Sequence, residues 1–97
     1  MKMRLQEVTV TELEGMVRAG QVAPLRVGVT NDPRRRAGEY KTEYSENATM
    51  YYAKTSNKRT AENRLLDKCA GRGGCCFNVH RRSNAPEEKG YVYAIFP

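Results

Sequence analysis

This chain has no apolar run long enough to span a bilayer and no signal-peptide core near Met1, so neither a membrane helix nor a secretory leader is expected. Cysteine is scarce. There are three, an odd number that does not build a disulfide framework and that points to an intracellular chain with reduced thiols. Tryptophan is absent and histidine occurs once. Cys69, Cys75, Cys76 and His80 can be assembled into a zinc set on paper. The adjacent Cys75-Cys76 pair and the lack of a C-x-x-C spacing make small buried thiols beside a solvent-facing histidine the better reading. Internal repeats, low-complexity tracts and long linkers are missing too. Acid is the other shortage: 11 Asp and Glu face 17 Lys and Arg, for a net charge of +6 and a pI near 9.5. That excess favours an acidic polymer as partner, nucleic acid first and an anionic membrane surface second. What remains is ordinary globular material, 39% hydrophobic and 29% charged over 97 residues. It makes one domain, residues 1–97, with a modest single core.

The most informative stretch runs from Val27 to Tyr40. It reads as a short apolar strand, a turn, and a helix start, with Asp32 as N-cap and Pro33 at the first helical position, where a missing N–H costs nothing. Arg34, Arg35 and Arg36 then crowd the first turn, where the helix dipole is positive and favours acids instead. Cations set against that gradient suggest a bound anion. Phosphate suits both the planar fork of arginine and the exposed N–H groups of a helix start. A solvated basic helix is the bland alternative on these residues alone.

Taken in order, the chain opens with an alternating segment over Met1 to Val10 whose phase slips, the mark of an edge strand. Thr11 to Glu14 reads as a capping box and Gly20 as a C-terminal stop, giving a short helix with Leu13, Met16 and Val17 on one side. A second strand covers Leu25 to Thr30, with Leu25, Val27 and Val29 facing one way and Arg26, Gly28 and Thr30 the other. On the helix that follows, Arg36 and Tyr40 share a face, Arg35 and Glu39 another, and Gly38 keeps it short. Lys41 to Asn47 is polar and reads as a loop. Thr49 to Thr55 reads as a third strand, and Ser56 or Asn57 caps a helix ending at Gly71. At about 100° per residue, Glu62 of that helix falls inside the arc of Ala61, Leu65, Leu66 and Cys69. A carboxylate on a buried stripe must be paired, hydrogen-bonded or metal-bound. Residues 71 to 90 are glycine-rich and basic, mostly loop, and include Arg81-Arg82 as a plausible backbone contact. Gly90 to Phe96 is the strongest strand signal, apolar or aromatic on both faces and therefore central. The fold class expected is α+β: a small, mostly antiparallel sheet of three to four strands flanked by helices.

Gly28-Val29-Thr30-Asn31-Asp32-Pro33 with Arg36 and Glu39 resembles the second half of the GIY-YIG nuclease signature, in which an arginine on a helix follows the YIG glycine by eight residues, the offset of Arg36 from Gly28. Gly90-Tyr91-Val92-Tyr93-Ala94-Ile95 looks like the first strand of that family, with Tyr93 as the GIY tyrosine. The resemblance covers residues 25–96 and implies a circular permutation, with 1–23 as an added strand and helix. It departs at Arg26, which stands where the YIG tyrosine belongs, and at Tyr40, where many members carry histidine. The late asparagine of the family matches Asn78 or Asn84.

What the resemblance implies is a metal-dependent endonuclease acting on DNA phosphodiester bonds. Glu62 would hold a single Mg²⁺ or Mn²⁺, Tyr93 would take a proton from the attacking water, Arg36 would neutralise the phosphoryl charge, and Tyr40 would orient water or phosphate. Arg34, Arg35, Lys54, Lys58 and Arg59 would contact the backbone, and Arg26 would hold the scissile phosphate. RNA is compatible with the same chemistry. A homodimer or a partner protein would supply specificity. The alternatives are a catalytically inactive basic nucleic-acid-binding module on the same scaffold and, further back, an adaptor for an acidic protein.

Overall fold

The computed structural model describes residues 3–19, 23–40, 42–44, 47–71, 83 and 85–97. Seven elements follow one another: β1 (Arg4–Glu7), α1 (Val10–Ala19), β2 (Arg26–Thr30), α2 (Pro33–Glu39), β3 (Thr49–Thr55), α3 (Lys58–Gly71) and β4 (Gly90–Phe96). The strands form one sheet in the order β1-β3-β4-β2. β4 runs antiparallel to both its neighbours, and β1 joins the far edge parallel to β3. The fold is the α+β class expected, with the last strand in mid-sheet.

Alternation along the strands separates two cores. Val27, Ala53, Val92 and Ala94 point to one face, where α1 and α3 cover them with Leu13, Val17, Ala61, Leu65, Leu66 and Cys69. Met50, Tyr93 and Ile95 point to the other, packed with Ala37 and Tyr40 from the end of α2. β4 is buried on both faces because it feeds both cores, which is why neither face of its sequence is polar.

The helix starts obey local chemistry. The Asp32 carboxylate accepts from Arg35 N at 3.1 Å, and Pro33 opens α2. Asn57 Oδ1 accepts from Thr60 N at 3.0 Å and caps α3. The cap of α1 lies earlier than expected. The box is Thr9 with Glu12, through Thr9 N to Glu12 Oε1 at 3.0 Å and Glu12 N to Thr9 Oγ1 at 3.1 Å, rather than Thr11 with Glu14. The earlier start leaves Glu14 one turn inside the helix. There it accepts Arg64 Nε at 2.6 Å and Nη2 at 3.1 Å, and so ties α1 to α3.

A second correction concerns the thiols. Cys69 is fully buried and disulfide-bonded rather than reduced. Three cysteines can hold one bridge and leave one over, so the odd count did not exclude it. Cys75, Cys76, His80, Arg81, Arg82 and both asparagines, Asn78 and Asn84, lie outside the described residues.

Candidate active site

Register places Tyr93 between Gly28 of β2 and Tyr52 of β3. The Tyr93 ring leans over Gly28, where an added Cβ would come within 2.5 Å of the phenol oxygen and 2.6 Å of Cζ. Glycine is needed at this position for close approach. The ring then meets Tyr40, the residue that ends α2, with 2.7 Å between the two hydroxyls. Arg26, next to Gly28 on β2, donates from Nη1 to the same Tyr40 oxygen at 3.1 Å, and its Cζ lies 5.1 Å from the Tyr40 ring centre. Arg36, one turn back on α2, is the fourth member.

The two phenols are unequal. Burial alone would raise Tyr40, but hydrogen bonds with Tyr93, Arg26 and Arg36 and the Arg26 charge outweigh it and hold its pKa below the ordinary value near 10. Tyr93 is pushed well above its ordinary range, first by burial and then by its bond to Tyr40. Of the pair, Tyr40 is the phenol whose ionisation is favoured and Tyr93 the one whose neutral form is favoured. The resemblance had implied Tyr93 as the proton acceptor and Tyr40 as the group that orients water or phosphate.

Both arginines are also held by carboxylates at the surface. Glu43 Oε2 lies 3.6 Å from Arg26 Nη2, and Glu39 Oε1 lies 3.4 Å from Arg36 Nε; both acids are half-exposed. The Arg36–Glu39 approach is close but not aligned as a hydrogen bond. Arg36 Nε is therefore a buried donor with no hydrogen-bond partner among the described residues, and the Tyr44 hydroxyl is in the same position. An open cavity of about 660 Å³, bordered by Leu25, Arg26, Glu43 and Tyr44, adjoins the second of these two groups. Unsatisfied buried groups beside a cavity call for an explanation, and a bound anion is one.

The other candidates divide. Arg34 and Arg35 are exposed on α2, and Arg35 pairs with Glu39 at 3.7 Å. Arg59 bonds to Ala85 O at 2.8 Å and pairs with Glu87 at 3.5 Å, still partly exposed. Lys54 is exposed on β3. Lys58 is no surface contact: its side chain is 5% exposed and donates to Asn31 Oδ1 at 2.8 Å and Glu88 Oε1 at 3.2 Å. Glu62 is half-buried on α3, the helix seated on the opposite face of the sheet from Tyr93. It makes no hydrogen bond or ion pair with Arg26, Arg36, Tyr40 or Tyr93. Among the described residues no three acids, histidines or cysteines gather as metal ligands. Glu43 and Tyr44, which complete the site, escaped sequence reasoning because Lys41 to Asn47 reads only as polar loop. A lone tyrosine in such a loop was the available signal.

No protein-family model, curated protein or solved structure matches this chain.

Proposed function

We propose that this chain grips a nucleic-acid backbone through Arg26, Arg36, Tyr40 and Tyr93 and cuts it, as an endonuclease acting on DNA phosphodiester bonds. The observation that carries the reading is the Tyr40 phenol, buried yet held below its normal range by its hydrogen bond with Tyr93 and by two arginines, one of which keeps a buried donor without a hydrogen-bond partner among the described residues. An entering phosphate would replace Glu39 and Glu43 on the two guanidiniums, exchanging exposed ion pairs for charge-assisted contacts with a planar fork. Water would attack phosphorus and give its proton to the Tyr40 oxygen, which Tyr93 supports as a donor. The departing sugar oxygen would take its proton from solvent. The arginines would neutralise the charge that grows on the phosphoryl oxygens.

The resemblance to GIY-YIG nucleases supports this reading from the side of sequence. A relocated first strand must still pair with the strand that once followed it, and β4 lies antiparallel to β2. The Mg²⁺ or Mn²⁺ that the resemblance implies fits less well. Its expected ligand, Glu62, is not joined to the phenol pair, and both carboxylates at the site are engaged by arginines. That placement of Glu62 favours a second reading, a module that binds the backbone without cutting it.

The experiment is nicking of supercoiled plasmid with Mg²⁺, with Mn²⁺ and with EDTA, run beside a gel-shift titration. Nicking lost in Arg36→Ala and Tyr40→Phe is the expected result. Retention of DNA without nicking under every condition would sink the nuclease and leave the binding module.

A further inference from the structure

A second cavity, of about 400 Å³, opens at the other end of the same sheet face, lined by Asn31, Lys54, Thr55, Lys89, Gly90 and Tyr91. No acid is among these residues. Lys54 and Lys89 are exposed on its rim. A third cation runs beneath it: the Lys58 stem passes so close to Gly90 that a Cβ there would meet its Cδ at 2.5 Å, and its ammonium ends on Asn31 Oδ1 at 2.8 Å. Gly90 thus makes room for the Lys58 stem, and that buried lysine holds Asn31 in place. The wall is aromatic. Tyr91 is half-buried and stands edge-to-face with Tyr52 at 5.8 Å and 72°.

We propose that this cavity is a nucleotide subsite that receives one unpaired base of a single strand against Tyr91, with the flanking phosphates on Lys54 and Lys89. Three features select that ligand. Cationic rims around an aromatic wall match a phosphate-flanked ring, and a tyrosine takes any base whose face is free. Bases inside a duplex have no free face, which selects a single strand. Continuity selects a polymer over a free nucleotide: Tyr91 and Tyr93 alternate on one face of β4, about 7 Å apart along the strand. The subsite therefore leads into the arginine–tyrosine cluster. This inference rests on the reading of that cluster as a backbone site and adds the form of nucleic acid it serves, one with a single-stranded segment next to the gripped phosphate.

The test is fluorescence anisotropy of the full chain with a labelled oligothymidine single strand and with a blunt-ended duplex of two annealed strands of equal length, over a range of salt. Wild type should favour the single strand. Tyr91→Leu and Lys89→Glu should each weaken single-strand binding by about tenfold and lower the ratio of single-strand to duplex affinity. Lys89→Glu should also reduce the salt slope for the single strand by about 0.7. Lys89 is exposed, so that variant tests the subsite even if Tyr91→Leu fails to fold. Equal losses on both probes, an unchanged preference in Lys89→Glu, or full competition by a free mononucleotide at the oligomer's own affinity would each overturn the subsite. Arg36→Ala separates the two readings: unaltered binding of both probes would overturn the backbone cluster. A lost preference in Lys89→Glu alone speaks for the subsite.

Discussion

Two tyrosines with the same ordinary pKa shift in opposite directions because their surroundings differ. Tyr40 shares its oxygen with a guanidinium, whereas Tyr93 is enclosed by the sheet and by Tyr40 itself. Nicking should therefore rise with pH and level off before the range in which a free phenol ionises. Arg26→Ala should move that plateau to higher pH, as read from a rate–pH profile. Arg36→Ala should lower the nicking rate by about 10²-fold or more at any pH, since it removes a fixed charge from the phosphoryl oxygens. Tyr93 also makes a stability prediction whose sign is definite. Its folded pKa is raised, so its contribution is whole below the unfolded value near 10 and fades as pH climbs past it. Urea titrations should show stability falling above pH 10, by up to about 1.4 kcal/mol per pH unit, and Tyr93→Phe should flatten that fall.

Among the elements, the approach of β4 to β2 is the sensitive contact. Gly28→Ala places a methyl against a ring that cannot turn away, since Tyr93 is fixed by Tyr40 on one side and by the sheet below. We expect a loss of about 1–3 kcal/mol in chemical denaturation, together with loss of nicking as the phenol pair is pushed apart. α1 and α3 are held by a different device, the two-pronged Arg64–Glu14 contact with Lys68 Nζ at 4.0 Å. The Arg64 hydrogen bonds, foremost, hold the Glu14 carboxyl below its ordinary value near 4.5. Its stabilisation is present above that pH and lost as pH falls through the lowered value. Glu14→Gln should thus be less stable than wild type at pH 7, and the gap should narrow in acid. This pair shows where sequence reading stopped. Thr9 with Glu12 and Thr11 with Glu14 are equally good boxes on paper. Only the packing of α1 against α3 brings Arg64 to Glu14, 50 residues on.

For the molecule as a whole, the proposed grip on nucleic acid, with a net charge of +6 behind it, should be strongly salt-dependent. The slope of log affinity against log salt should be shallower in Arg34→Ala and Arg35→Ala, by about 0.9 for each duplex phosphate contact removed. Both residues are exposed on α2 beside the cluster. Lys58→Ala should behave otherwise, because it removes a buried tie between β2, α3 and the approach to β4. Its cost should appear in thermal unfolding rather than in the salt slope.

Local chemistry was readable without coordinates wherever it depended on neighbours within a few residues. Asp32-Pro33 opened a helix, the alternation of Gly90 to Phe96 made a strand with two apolar faces, and Arg36 and Tyr40 shared a helical side because 3.6 residues make a turn. That spacing put Arg36 and Tyr40 on one face; Tyr93 joined the expected site only through the resemblance to the nuclease signature. Which of two phenols would hold the charge depended on how deeply each sank and on which guanidinium reached it, and burial is a property of the assembled layers. The same holds for Glu62. A helical wheel shows that a residue borders an apolar stripe, but the side of the sheet on which that stripe lands is decided by chain path and packing.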